Sequence, residues 1–306
     1  MSANTCRFCA APLQTTFCDL GVSPLSNAFI KPAEAQRMEP FYPLHAYVCE
    51  SCFLVQLEEF ETPEHIFSDY VYFSSYSDTW LEHARGFADK AVRGFGLTPQ
   101  SLVIEVASND GYLLQYFARA GIPVLGIEPA HNVAATATAK GIPTVTEFLG
   151  AAVAQRLAAA GKRADLLIGN NVLAHVPDLN DFVAGLRALL KPAGTLTLEF
   201  PHLLQLMQNV QFDTIYHEHF SYFSFSTAMR VLEKHGLTTF DVEELPTHGG
   251  SLCVYASPDP ARQPTPRVRA LVARESAAGF GAWETYTSFA ERVKTVKRAL
   301  LRLLLD

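Results

Sequence analysis

At 306 residues, with 49% apolar and 18% charged residues, the chain is long enough to bury a sizeable core and to hold more than one folding unit. Its net charge of −7 is spread without acidic or basic blocks, which argues against nucleic acid as a partner, because phosphate binding needs a cationic face. No apolar run reaches the roughly 18 residues that cross a bilayer and the N-terminus lacks a signal-peptide core, so the sequence points to a cytoplasmic protein with no membrane partner.

Four of the six cysteines fall into two knuckles, Cys6-x-x-Cys9 and Cys49-x-x-Cys52. Each places two thiolates on one tight turn, about 2.3 Å from a common metal, which fits tetrahedral zinc. Four thiolates fill the coordination sphere, so the site is expected to be structural. The Pro-rich stretch between the knuckles (Pro24, Pro32, Pro40, Pro43) is expected to be a loop that brings them together. Residues 1–75 thus read as a small zinc module, with a strand near 53–57 leaving the second knuckle. An aromatic cluster follows, Phe67, Tyr70, Tyr72, Phe73 and Tyr76. Most of these rings are expected to pack the module against the next domain, with Tyr76 carrying its hydroxyl into a cleft. A helix is expected over 79–95, with Trp80, Ala84, Phe87, Ala88 and Ala91 inward.

The stretch LVIEVASNDGY, Leu102 to Tyr112, organises what comes next. An apolar run short enough for one buried strand gives way to a polar glycine turn and then to helical spacing. Such a strand, turn and helix put backbone N–H groups at an open edge where a small organic cofactor can lie, with Asn109 and Asp110 as hydrogen-bonding groups. A second strand, 123–127, ends in Glu128-Pro129, and an acid there is placed to hold a ribose diol. After a helix (133–140) and a short strand (143–145), the loop Glu147 to Gly150 offers Phe148 either to an adenine ring or to the core. A strand at 165–169 runs into Asn170 and Asn171, polar groups again at a strand's carboxyl end. A helix over 179–190 and a strand over 194–200 follow. Alternating strands and helices make a parallel, doubly wound sheet with its site at the carboxyl edge.

The segment QFDTIYHEHFSYFS, Gln211 to Ser224, sets His217, Glu218 and His219 among aromatic rings. Histidines two apart do not share a helix face, so catalytic zinc fits poorly. General acid–base work fits better, because burial and a neighbouring carboxylate tune an imidazole near neutral pH; a structural histidine cluster is the other reading. A helix (226–235) and two strands (238–242 and 251–256) across His248-Gly249-Gly250 are expected to complete the sheet as an antiparallel hairpin. Residues 257–266 read as a Pro-rich linker. The final helices end in an apolar stripe from Leu300 to Leu305 that docks on the sheet, makes a dimer or leads into more chain.

CRFC, CESC, YFSSYS, EVASNDGYLL, GIEPAHNVA, NNVLAHVPDL, YHEHFSYFS and HGGSLCVYAS run in this order from Cys6 to Ser257. In them the chain resembles the zinc-containing, S-adenosylmethionine-dependent sugar C-methyltransferases, which methylate C3 of TDP-linked 4-keto-deoxysugars in antibiotic biosynthesis. SNDG stands where methyltransferases at large carry E-x-G-x-G-x-G, as it does in that family. The resemblance implies a class I methyltransferase fold: a Rossmann-like doubly wound sheet with an antiparallel last strand over 76–257, the zinc module before it, and a linker with C-terminal helices over 258–306. It implies that Ser108, Asn109, Asp110 and Gly111 hold the methionine end of S-adenosylmethionine and that Glu128 holds its ribose. Asn132 would sit nearby, and Asn171 and His175 would line the floor between cofactor and sugar. His219 would be the general base, with Tyr216, Glu218 and Tyr76 placed around a nucleotide-activated keto-sugar. The family continues into a domain of roughly a hundred residues that grips the nucleotide, for which the sequence shows no counterpart.

The residue types suit that chemistry independently. A proton on carbon beside a ketone needs a base, and the enolate oxygen needs a donor such as a tyrosine hydroxyl. Three alternatives share parts of the pattern: an O- or N-methyltransferase, a nicotinamide oxidoreductase, which the missing G-x-G-x-x-G disfavours, and a non-catalytic half that needs a partner. As an enzyme the chain is expected to act as a monomer or a homodimer.

Overall fold

The two cysteine knuckles meet because a hairpin, rather than a proline loop, stands between them. The computed structural model describes residues 4–68 and 70–305. Strands β1 (Thr15–Ser23) and β2 (Tyr42–Val48) are antiparallel, with Thr15 opposite Val48 and Ser23 opposite Tyr42, so Cys9 and Cys49 arrive at the same end. Pro24, Pro32 and Pro40 fall in the loop at the far end of this hairpin, and Pro43 lies within β2. The expected strand after the second knuckle is β3 (Val55–Leu57), antiparallel to β2.

The larger sheet is built from β4 (Val103–Val106), β5 (Val124–Ile127), β6 (Thr144–Val145), β7 (Ala164–Asn170) and β8 (Leu190–Pro201), joined after β9 (Ser221–Tyr222) by β10 (Thr238–Leu245) and β11 (Ser251–Ser257). Its order is β10-β11-β8-β7-β4-β5-β6. The strands from β4 to β8 pair in parallel, whereas β11 is antiparallel to both β8 and β10. This is the expected doubly wound sheet with its reversed last strand. Successive side chains of a strand point to opposite faces. Val103, Leu166 and Ile168 therefore meet Ala84, Ala88 and Phe117 of the helices Asp78–Gly94 and Leu114–Arg119. Ile104, Val106 and Leu167 meet Ala154, Phe182 and Leu186 of the helices Ala151–Ala159 and Leu179–Leu189. The helix Ala151–Ala159 was not expected from apolar spacing; its alanine-rich sequence, the strongest intrinsic helix signal, was the clue.

The small sheet is completed from far along the chain. Strand β9 pairs with β3, Val55 opposite Tyr222 and Gln56 opposite Ser221. One residue further on, the amide of Leu203 donates to the Phe223 carbonyl at 2.9 Å, so the segment 220–223 ties the small sheet to the end of β8. Cys6, Phe8, Cys49, Cys52 and Leu54 belong to the same apolar cluster as the large sheet.

The Pro-rich stretch near 257–266 is not a free linker. The Thr265 amide donates to the Phe240 carbonyl at 2.8 Å, and the Arg262 guanidinium lies over the Phe240 ring. The following helix, Pro266–Ala277, buries Val268, Leu271 and Glu275. Helix Phe289–Leu305 docks its first turns on the small sheet, where Phe289 stacks on Phe17 with ring centroids 4.8 Å apart, while Leu300 to Leu305 stay exposed. Among the described residues no helix is long and apolar enough to cross a membrane.

Glu275 fastens the C-terminal helices to the body. Its fully buried carboxylate accepts from His202 Nε2 (2.7 Å), the Phe225 amide (2.6 Å) and the Ser226 amide (2.8 Å), capping the helix Phe225–Lys234. Burial pushes the carboxyl up, but the bonds from His202 and Ser226 prevail and hold it below its usual range. Replacing it by alanine leaves those donors unpaired, so Glu275→Ala is expected to cost about 3–5 kcal/mol, or roughly 10 °C in melting temperature. A depressed folded-state value means that this stabilisation is present above the ordinary carboxyl range and is lost as pH falls through the depressed value. The gap in melting temperature between parent and variant is therefore expected at neutral pH and should close on strong acidification.

Candidate active site

The carboxyl ends of β4, β5, β7 and β8 open onto a cavity of about 890 Å3. A volume near the top of the usual range for ligand pockets has room for a cofactor and a second small molecule. Its rim carries left-handed backbone at three residues other than glycine: Ala107 (φ 55°), Asn109 (φ 50°) and Asn171 (φ 52°). Strain of this kind gathers where the backbone is shaped for a ligand.

The β4 turn and the aromatic segment before it are stitched together. Asn109 Oδ1 accepts from the amides of Ser74 and Asp110, both at 2.9 Å, and its Nδ2 donates to the Tyr72 carbonyl at 3.1 Å. Glu128, at the end of β5, lines the cavity while its two oxygens accept from the Asn109 amide (2.8 Å) and the Ala130 amide (2.9 Å). Burial raises its carboxyl despite these bonds. Phe67, Tyr70 and Tyr72 line the same cavity, so these rings face a ligand space as well as packing the module.

On the β7 side, Asn170 Oδ1, Asn171 Oδ1 and His175 Nδ1 are buried and have no partner among the described residues, and all three residues line the cavity. His175 meets the edge of His219 at 4.7 Å, and burial brings its pKa down to about 4. His219 Nδ1 lies 3.0 Å from the Thr214 carbonyl and Nε2 lies 2.9 Å from the Tyr216 hydroxyl. Burial, and then the neighbouring His175, hold its imidazole well below the usual range.

Of the residues singled out from sequence, Asn109, Glu128, Pro129, Phe148, Asn170, Asn171, His175, Tyr216 and His219 line this one cavity. Seven others stand behind it or away from it. The Ser108 side chain is buried under the turn against Gly126. Asp110 pairs with Lys140 at 2.9 Å and accepts from Ser75. Gly111 (φ 76°) packs on Ile142, whose Cγ1 is 3.0 Å from where a Cβ would sit. Asn132 holds the backbone of Tyr70 through its amide (3.1 Å) and its carbonyl (2.6 Å). Glu218 turns towards Asn27, from which it accepts at 2.8 Å, and Tyr76 is 80% exposed, stacked on Phe73. His217 points away from His219, with Nε2 donating to the Pro43 carbonyl at 3.1 Å. Lining residues that sequence reasoning missed include Trp80, His83, Tyr112 and His248; the signal for His248 was the glycine pair after it.

The sulfurs of Cys6, Cys9, Cys49 and Cys52 lie within 4.8 Å of one another, with Cys6–Cys52 and Cys9–Cys49 both at 3.5 Å. Tetrahedral zinc at 2.3 Å from each sulfur needs edges of about 3.8 Å, so the quartet fits the ion.

Three sequence families match the chain: a zinc binding domain over residues 6–67, a methyltransferase domain over 80–242 and a C-methyltransferase C-terminal domain over 246–306. The third begins ahead of the boundary read at 257 and takes in the residues read as a linker and C-terminal helices. The chain is 35% identical to the C-methyltransferase NovU of Streptomyces niveus over 303 residues, 98% of this chain and 72% of that protein. It is 28% identical over 116 residues to a ubiquinone biosynthesis O-methyltransferase of Rhizobium etli, 35% of this chain and 47% of that one. Among solved structures, the PH0226 protein of Pyrococcus horikoshii superposes over 65% of this chain and all of its own, with a TM-score of 0.50 at 14% identity.

Proposed function

The chain belongs to the S-adenosylmethionine-dependent C-methyltransferases, and from that premise we propose that it methylates the carbon beside the ketone of a nucleotide-linked 4-keto-deoxysugar, at C3, through an enolate formed at His219. S-adenosylmethionine supplies an electrophilic methyl group on its sulfonium. Support for the cofactor end comes from Glu128, Asn109 and the β4 turn on the cavity wall, and from Asn170 and Asn171, which line the same cavity and whose Oδ1 atoms have no partner among the described residues. Zinc is structural, because four thiolates leave no open position.

The observation that carries the reading is the tautomer of His219. A carbonyl only accepts, so Nδ1 holds the hydrogen that goes to Thr214 and Nε2 keeps its lone pair, which receives the Tyr216 hydroxyl. Burial favours this neutral form. A buried neutral imidazole on a cavity wall is a base able to take a C–H proton, worth roughly 10²–10⁴-fold. Once the substrate replaces Tyr216 at Nε2, the freed hydroxyl is a donor for the enolate oxygen. An oxygen or nitrogen nucleophile already has its lone pair, so a dedicated base of this kind matters most for carbon.

Mass spectrometry of a TDP-linked 4-keto-6-deoxysugar incubated with protein and S-adenosylmethionine tests the reading. A single methyl on carbon is expected; a methyl on oxygen, or no product, overturns it. On the cofactor side, Glu128→Ala is expected to weaken S-adenosylmethionine binding about tenfold or more in calorimetry, since hydrogen bonds to charged groups contribute about 1.5–3 kcal/mol. Unchanged affinity would remove Glu128 from the ribose site.

A further inference from the structure

The cavity has a second polar wall that the chemistry above does not use. It lies over the β8 and β11 half of the sheet, on the other side of β7 from the cofactor turn and Glu128. Glu199, at the carboxyl end of β8, is 1% exposed, and it holds His83 on one oxygen (2.8 Å to Nε2) and the Thr247 hydroxyl on the other (2.9 Å). His83 comes from the helix Asp78–Gly94 and lies stacked on Trp80, ring centroids 4.8 Å apart. Trp80 in turn meets the edge of His248 at 5.5 Å.

This wall is built at some expense to the backbone. His248 sits in left-handed conformation (φ 50°), followed by Gly249 (φ 76°) and Gly250 (φ 118°). A side chain at either glycine would collide with Gln211 or Gln205 within 3 Å. The chain therefore turns where only glycine fits, and in doing so delivers Thr247 to Glu199 and His248 to the cavity. With Nε2 committed to Glu199, His83 has Nδ1 left, which makes no hydrogen bond among the described residues. A carboxylate that accepts at Nε2 leaves the imidazole a donor at Nδ1 when it is protonated.

We propose that His83, oriented by Glu199 and Thr247, is a substrate-binding group that donates from Nδ1–H to an oxygen of the substrate ring, with the Trp80 face packed beside that ring. The proposal rests on the sugar reading of the cavity. Glu199 and Thr247 are positioning residues, since they act through His83. The groups facing His83 are Glu199 from β8, His248 from the β10–β11 loop and the neutral ring of Trp80 from its own helix. Its bond to Glu199 outweighs burial and raises its imidazole, so the ring keeps its proton to higher pH than a free histidine. The bond to Glu199 biases His83 towards its protonated form while burial biases His219 towards its neutral one, unlike surroundings of the kind that divide roles in acid–base pairs.

The test uses His83→Phe, which keeps a ring against Trp80 and removes the donor, and Glu199→Gln, which keeps the shape and removes the charge. With a TDP-linked 4-keto-6-deoxysugar as probe, KM for the sugar is expected to rise at least tenfold in both variants. S-adenosylhomocysteine affinity by calorimetry should stay within twofold of the parent. If Glu199→Gln does not fold, as judged by its melting curve, His83→Phe decides alone. Unchanged KM in a folded His83→Phe overturns the proposal and leaves the dyad structural. A tenfold loss of S-adenosylhomocysteine affinity with unchanged sugar KM overturns it in favour of a cofactor role. A parent protein that neither methylates the sugar nor exchanges its protons overturns the sugar reading itself and this proposal with it.

Discussion

His219→Ala is expected to abolish methyl transfer, by roughly 10²–10⁴-fold, and with it the exchange of the substrate's C3 proton for solvent deuterium. Exchange needs only the base and the ketone, so it isolates the imidazole from everything that concerns the methyl group. Cofactor affinity should stay near the parent value, because Glu128 and the β4 turn lie at other strand ends. Tyr216→Phe is expected to slow both reactions by a smaller factor, since it removes the hydroxyl on Nε2 and leaves the Thr214 anchor on Nδ1. The pH profile carries the same information. The base must be neutral, and burial together with His175 depresses its ionisation, so the acid limb of kcat should fall well below pH 6.5. NMR or mass-spectrometric measurement of exchange settles the assignment. A His219→Ala variant that exchanges at the parent rate would transfer the role to another group, His175 first.

The Cys49→Ala/Cys52→Ala double variant is expected to lose the zinc and, with it, the fold of residues 4–68. Binding of a structural zinc contributes about 10–16 kcal/mol in isolated zinc fingers, as much as the whole net stability of an ordinary domain. The consequence should not stop at the knuckles. Gln56 donates to Cys6 Sγ at 3.2 Å, accepts from the Arg7 amide at 3.0 Å and pairs with Ser221 two residues past His219. Arg7 donates to the carbonyl of Pro177 at 2.9 Å, two residues past His175, and Thr227 donates to the Cys52 carbonyl at 3.2 Å. Metal removal should therefore loosen both histidines as well as the module. Metal analysis is expected to find one zinc per parent chain and none in the variant, and limited proteolysis is expected to open the variant near 50–60 and 212–224. Reduced parent without zinc, or a variant with zinc at full occupancy, contradicts the assignment.

The features legible in the sequence are those carried by short stretches. Strand β4, its SNDG turn and the following helix lie within the short stretch Val103 to Arg119, and alternation alone assigns Ile104 and Val103 to opposite faces. The zinc quartet is readable for the same reason, since each knuckle is a local turn and only one metal geometry satisfies four thiolates. The cavity residues Asn109, Glu128, Asn171 and His219 were legible because each ends a strand or sits in a dense polar–aromatic motif.

Contacts between stretches that no local pattern links were decided by the tertiary structure alone. Strand β9 is two residues long and finds its partner in β3 more than 160 positions earlier, so no periodicity could announce it. His83 and Glu199 are 116 residues apart, one on a helix whose inward residues were read as Trp80, Ala84, Phe87, Ala88 and Ala91, the other within the strand read over 194–200. Their meeting depends on β11 entering between β8 and β10 and carrying the His248 turn over the strand ends. Tyr76, Ser108 and Glu218 show the converse: their place in a motif was visible, but which way each side chain turns was set by its neighbours, Phe73, Gly126 and Asn27. Residue type and spacing determine which groups are available near a strand end; the packing of distant elements determines which of them reach the cavity.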